Sequence, residues 1–316
     1  MDNNAVEIVD VAPRDGFQSV KPYIPTPAKA EIVRALLNAG VKRVETGSFV
    51  SPKAVPQLAD TAEVHQTLGP STSGPAKNYR LPALIANARG GARALAAGVS
   101  DLVYVFSVSE THNRANVRKS VAESVEELKQ VIHTHRGTPG FRLRVNVATA
   151  FDCPYAGRID AAAVMPWLDA VMELARDEPD GAFEFGICDT TGRAFPDQVG
   201  ALFEQAITTF GTGETVAWAF HGHDTFGLGV ANALAAHGAG VRVFDAAAAG
   251  LGGCPFAPGA TGNTATEDLV FTFENMGITT GIDIERLLAV ADTIAALPGA
   301  RVGGHLRGVP RQRVLA

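Results

Sequence analysis

The stretch Ala219-Phe220-His221-Gly222-His223-Asp224 decides how this chain is read. It continues the apolar run Val216 to Trp218, which reads as a β-strand. Side chains two apart on a strand share a face. His221 and His223 therefore project together, with Cα atoms roughly 7 Å apart. Two imidazoles at that spacing can close on one metal ion. Gly222 faces the other way and admits close packing there. The plain alternative is a pair of hydrogen-bonded core histidines, and the rest of the chain decides between the two.

Outward from that strand, strand and helix patterns alternate. Strands are expected at Glu7 to Ala12, Lys42 to Phe49, Leu81 to Ala86, Leu102 to Val108, Leu143 to Thr149, Ala182 to Cys188, Val216 to His223 and Val241 to Ala247. Helical spacing falls between them: Ala28 to Ala39, Pro56 to Leu68, Gly91 to Ala97, Ser120 to His133, Ala161 to Ala175, Asp197 to Phe210 and Gly229 to His237. Two more helices follow, at Thr266 to Asn275 and Ile284 to Ala295. The alternation predicts an α/β fold, a (β/α)8 TIM barrel with an extra C-terminal helix. A doubly wound sheet is the alternative. It lacks support because no Gly-x-Gly-x-x-Gly follows the first strand. No repeat or low-complexity linker divides the chain. We expect one catalytic domain over residues 1–316, with the barrel core at about 6–296 and a tail at about 297–316. The tail arginines Arg301, Arg307, Arg311 and Arg313 show no periodicity, so it reads as frayed or loosely docked.

The composition narrows the classes. The chain has 316 residues, 46% hydrophobic, with a net charge of -6, which disfavours nucleic acid as a partner. No apolar run is long enough for a membrane span. Met1-Asp2-Asn3-Asn4 lacks the basic and apolar regions of a secretion signal. The cysteines Cys153, Cys188 and Cys254 are odd in number and form no Cys-x-x-Cys pair. A reducing cytoplasmic setting is the expectation.

Active sites of such barrels lie at the C-terminal ends of the strands. Arg14 and Asp15 end strand one, Glu45 lies in strand two and Asp189 ends strand six. His221 and His223 end strand seven, and Cys254 and Asn263 lie in the glycine-rich loop after strand eight. A carboxylate from Asp15, two imidazoles and the Asn263 amide oxygen suit Mg2+ or Mn2+ better than structural zinc. Taken singly, Asp15 also reads as a cap and Asn263 as a turn residue. Arg14 can hold an oxygen on which charge develops, or pair with Glu45 or Asp189. Cys254, on a loop, can act as an acid or base when the loop closes, or be an inert thiol. Cys153 and Cys188 read as packing.

Pro13-Arg14-Asp15-Gly16-Phe17-Gln18, Glu45-Thr46-Gly47-Ser48-Phe49-Val50-Ser51-Pro52-Lys53 and His221-Gly222-His223-Asp224-Thr225 stand out together. So do Cys153-Pro154-Tyr155, Asp189-Thr190-Thr191-Gly192, and Gly250 to Asn263 followed by Ala265-Thr266-Glu267-Asp268-Leu269. In order and spacing, from about 6 to about 296, the chain resembles the 3-hydroxy-3-methylglutaryl-CoA lyase family. The resemblance implies a metal-dependent TIM barrel that cleaves an acyl-CoA substrate to a keto acid and acetyl-CoA. It implies Asp15, His221, His223 and Asn263 as ligands of the ion, Arg14 on the thioester enolate and Cys254 as its proton donor. Glu45, Asp189 and Gln18 are implied as supporting residues, with His221 or Asp189 moving the hydroxyl proton. A homodimer is the ordinary assembly for such barrels. Ser19-Val20, Phe17, Cys188 and Ser109-Glu110-Thr111-His112-Asn113 depart from the common pattern. They lie near strand ends, which keeps a related thioester of citramalyl type open as substrate. A condensing enzyme and a non-catalytic CoA-thioester-binding barrel are the rival readings.

Overall fold

The computed structural model describes residues 4–69, 79–176, 182–213, 216–253 and 262–315. Its strands are β1 (Glu7–Asp10), β2 (Arg43–Val44), β3 (Ala83–Ile85), β4 (Asp101–Ser107), β5 (Arg142–Ala148), β6 (Asp152–Cys153), β7 (Gly157–Arg158), β8 (Ala182–Asp189), β9 (Ala217–Gly222) and β10 (Val243–Ala246). The helices are α1 (Thr26–Asn38), α2 (Thr61–Leu68), α3 (Ala88–Ala96), α4 (Glu110–Val117), α5 (Val121–His135), α6 (Ala161–Arg176), α7 (Pro196–Phe210), α8 (Gly229–Gly238), α9 (Thr266–Asn275), α10 (Ile284–Ala295) and α11 (Arg311–Val314).

Eight parallel strands run in the order β2-β1-β10-β9-β8-β5-β4-β3. The two ends of that order meet. Arg43 pairs with Arg80 and Ser48 with Leu84, and the Val44 N–H donates to the Arg80 carbonyl. The sheet thus closes into the expected barrel, with the helices outside it. Along the strands the pleat sorts side chains by face. Phe185, Phe220 and Phe244 point outward and are buried under the helices, while their neighbours Glu184, His221 and Asp245 belong to the interior. Phe220 meets Phe203 of α7 edge-on, with ring centroids 6.1 Å apart, and Phe244 lies 5.0 Å from Phe273 of α9. Burying one such ring contributes about 2–3 kcal/mol relative to exposure, so these contacts bind the helical ring to the barrel.

Several expected boundaries change. The second strand, read as Lys42 to Phe49, shrinks to Arg43–Val44, and Glu45 stands just beyond it. Gly47 and Ser48 turn the chain toward α2, where the Thr61 hydroxyl takes the Ser48 N–H at 3.0 Å. The helix read over Pro56 to Leu68 is a 3-10 turn, Pro56–Leu58, followed by α2. An unexpected helix, α4, follows β4, with the Ser109 hydroxyl accepting the His112 N–H. An unexpected two-stranded hairpin, β6–β7, follows β5.

Of the two expected states of the C-terminal tail, frayed or loosely docked, the structure shows a docked one. The Asp268 carboxylate accepts the N–H groups of His305 and Leu306, both at 2.8 Å. Gly303 donates to the Ala249 carbonyl, and Arg311 pairs with Asp292 at 2.6 Å. Among the described residues no helix is long and apolar enough to cross a membrane.

Candidate active site

Each site residue is placed by a local feature of the backbone. After β1 the chain turns tightly, and the N–H groups of Arg14, Asp15 and Gly16 all converge on the Val11 carbonyl. Arg14 and Asp15 therefore leave from a turn beyond the strand and not from its last residue. The buried Asp10 carboxylate fixes that turn to the segment after the neighbouring strand β10 and to the start of α9. It accepts the N–H of Ala12, the N–H of Ala248 and the Thr266 hydroxyl. Burial pushes its pKa up to about 6 against those hydrogen bonds.

The histidines behave as their spacing predicts. His221 and His223 share a face, with ring centroids 5.3 Å apart. A Cβ on Gly222 would lie 2.7 Å from the Phe220 ring, which is the close packing that position requires. Asn263 bridges to His223 from the returning loop. Gly262, just before it, has φ +115, a backbone region that glycine enters freely.

Asp15, His221 and His223 bring their ligand atoms within 4.8 Å of one another. His223 Nε2 lies 3.5 Å from Asp15 Oδ2, and His221 Nε2 lies 4.0 Å from it. Asn263 Nδ2 donates to Asp15 Oδ2 at 2.9 Å and to the Leu251 carbonyl at 3.0 Å. Among the described residues its Oδ1 is buried without a hydrogen-bond partner. A carboxylate, two imidazoles and an unspent amide oxygen fit a hard or borderline divalent cation. Burial works to raise Asp15, but Arg14 and both histidines outweigh it, holding the carboxyl well below the usual carboxylate range. Asp15 is thus an anion ready to bind a cation.

Arg14 is held in a fork. Nη1 donates to Asp15 Oδ1 at 2.8 Å and Nη2 to Glu45 Oε2 at 2.9 Å. Of the two partners expected for Arg14, Glu45 is the one observed. Glu45 is buried, and burial raises its pKa although Arg14 opposes this. Asp189 has another duty: its oxygens accept the N–H groups of Arg193 and Ala194, both at 3.1 Å. Burial lifts its pKa to about 6.

A cavity of about 360 Å³ opens beside these groups. Arg14, Asp15, Gln18, His221 and His223 line one side, and Val50, Leu84, Val105 and Val117 form an apolar side. Cys188 lines it too, and burial pushes its thiol up, so it stays neutral. Cys153 is packing, with its Sγ 2.9 Å from the Ser109 hydroxyl. Cys254 lies outside the described residues.

Below the mouth lies a network with no counterpart in the sequence reading. Arg144 pairs with Glu184 at 2.6 Å and with Asp245 at 2.5 Å, and Arg43 pairs with Glu184 at 2.7 Å and with Glu7. Asp245 in turn faces His221 Nδ1 at 3.1 Å. That contact orients the ring so that Nε2 points at Asp15. Burial would raise Asp245, but Arg144 and His221 hold it at about 2. His112, from the unexpected α4, also lines the cavity. Burial lowers it to about 4, so its ring is neutral near pH 7.

Comparison with known proteins agrees with this geometry. Residues 5–294 match the family model described as HMGL-like. The chain is 40% identical to the (R)-citramalyl-CoA lyase of Chloroflexus aurantiacus, covering 93% of this chain and 92% of that one. It is 38% identical to the mitochondrial hydroxymethylglutaryl-CoA lyase of Bos taurus, covering 90% and 82%. Among solved structures, an HMG-CoA lyase from Acinetobacter baumannii in complex with coenzyme A and 3-methylmalate superimposes with a TM-score of 0.84. That pair is 36% identical, over 97% of this chain and 95% of the other. The same fold, matched over nearly its whole length, and the closed barrel place the chain in the HMGL-like family.

Proposed function

We propose that this protein is a divalent-cation-dependent carbon–carbon lyase that cleaves 3-hydroxy-3-methylglutaryl-CoA to acetoacetate and acetyl-CoA. The observation that carries the reading is the meeting of Asp15, His221 and His223 beside Arg14 at one cavity, with Asn263 bonded to Asp15 through its amide nitrogen and its Oδ1 open among the described residues. A Mg2+ or Mn2+ ion held by those four residues supplies Lewis acidity to a substrate hydroxyl and its neighbouring carboxylate.

The chain's own groups do the rest. Asp15 and Glu45 fix the Arg14 guanidinium before substrate arrives. Arg14 then meets the negative charge that develops on the thioester oxygen as the carbon–carbon bond breaks. Asp189 or His221 takes the proton from the C3 hydroxyl, whose collapse to a ketone releases the acetyl-CoA enolate. The Cys254 thiol returns a proton to the enolate carbon. Gln18 contacts substrate at the rim, and the apolar wall keeps water from competing.

A second reading has its own support. The relative at 40% identity is named for (R)-citramalyl-CoA, and Cys188 and the segment after β4, which depart from the common family pattern, both reach the cavity. That thioester has one methylene fewer between hydroxyl and carboxylate and would yield pyruvate. Purified protein with Mg2+ and each thioester, assayed for acetyl-CoA and the keto acid, separates the readings. Acetyl-CoA with acetoacetate is expected. Pyruvate from the shorter thioester alone would favour the second reading, and no acetyl-CoA from either would overturn both.

A further inference from the structure

Asn146 sits on β5, on the interior face that also carries Arg144 two residues earlier. It is 4% exposed and lines the cavity with Arg14, Cys188 and His221. Among the described residues its Oδ1 is buried with no hydrogen-bond partner. The neighbour in register on β8 is Gly186. A Cβ at Gly186 would lie 2.1 Å from Asn146 Oδ1, so only a residue without a side chain leaves room for the carboxamide. Oδ1 is therefore tucked against bare backbone, and among the described residues the amide nitrogen donates to no protein acceptor, which leaves its N–H groups for the cavity that Asn146 lines.

The acceptor Oδ1 stays against the backbone, and the amide N–H is the group of Asn146 that a ligand in the cavity can complete. Hydrocarbon cannot complete an amide N–H, whereas a carboxylate oxygen can. The amide is also neutral, so it does not compete with the cation for an anionic ligand. Beside it, Val105 and Ala148 are apolar and Cys188 is a neutral thiol, so Asn146 brings an amide donor to an otherwise apolar stretch of the lining.

We propose that Asn146 is a specificity-determining residue: its amide N–H donates to the acyl carboxylate and selects carboxylate-bearing 3-hydroxyacyl thioesters over those ending in hydrocarbon. This rests on the lyase reading above and names the part of the substrate that the β5 wall reads.

The test compares 3-hydroxy-3-methylglutaryl-CoA with 3-hydroxy-3-methylbutyryl-CoA, which lacks only that carboxylate. The measurements are kcat and KM for the first and the inhibition constant of the second, with Mg2+ present. Asn146→Leu should raise KM for the dicarboxylate about tenfold or more. It should leave the inhibition constant of the carboxylate-free thioester within about twofold. Asn146→Asp, which opposes like charges, should raise KM further. Asn146→Ser, smaller than the native residue, repeats the test if the Leu variant does not fold. Constants that move together, or neither moving, would overturn the proposal. If wild-type protein cleaves nothing, the lyase reading fails by itself. Calorimetric binding of the same two thioesters then decides Asn146: a carboxylate preference abolished in the variants supports it, and no preference overturns it.

Discussion

Below Asp15, His221 and His223, Glu7, Glu184 and Asp245 each meet Arg43, Arg144 or both. At the mouth, only a short way along the same strands, buried polar atoms stand open. Among the described residues they include Asn263 Oδ1, Glu45 Oε1, Arg14 Nε and His223 Nδ1. The lower region matches its carboxylates to cations and so can be buried at tolerable cost. The upper region leaves carboxylate and amide oxygens unspent, as a site that takes a ligand must, whereas the atoms left over in the lower region, among the described residues, are arginine nitrogens, Arg43 Nε and Arg144 Nε and Nη2. Asp245 links the two, with one oxygen on Arg144 and the other on His221. The floor is therefore a rigid base that aims His221, and the mouth is where chemistry can happen.

The largest expected effect breaks the floor. Arg144→Met leaves Asp245 and Glu184 short of a partner in a buried setting, and should cost about 3–5 kcal/mol of stability. Urea denaturation measures it. A loss under about 1 kcal/mol would mean that the floor is not a coupled network. Next comes the mouth. Arg14→Lys replaces a planar fork by a point charge and should lower kcat by about 100-fold. Its denaturation midpoint should stay near wild type. A change confined to KM would remove Arg14 from charge stabilisation.

A smaller effect concerns an acid of neither kind. Glu267 is buried, and its Oε2 accepts the Ala249 N–H while no cation pairs with it among the described residues. Burial raises it from 4.5 to about 7. Its folded pKa lies above its unfolded value. Its contribution is complete below about pH 4.5 and is lost as pH rises toward 7, at up to about 1.4 kcal/mol per pH unit. Glu267→Gln keeps the neutral form, so it should gain stability over wild type across that window. A difference that stays flat from pH 4.5 to 7.5 would contradict this.

Much of the barrel is legible because its helices carry strong periodicity. Thr266–Asn275 and Ile284–Ala295 fall where the apolar spacing puts them. The His221 and His223 pairing follows from the strand period alone. The floor is not legible in that way. Arg43, Arg144, Glu184 and Asp245 alternate with apolar residues, which along a single strand looks like a solvent-facing edge. Only closing the sheet turns those faces inward. Asn146 is hidden for the same reason. The helix α4 is polar along its length, and its buried His112 and Asn113 serve hydrogen bonds and not an apolar stripe. The tail is held by a carboxylate on backbone N–H groups, which leaves no mark in side-chain pattern.

Titration with Mn2+, followed by calorimetry, tests most directly whether Asp15, His221, His223 and Asn263 form one cation site. Wild-type protein should bind one ion tightly per chain. The folded His223→Ala variant should bind it at least about 100-fold more weakly, since losing a ligand exceeds the loss of an outer partner. Equal affinity in the two proteins would place the ion elsewhere and contradict the account.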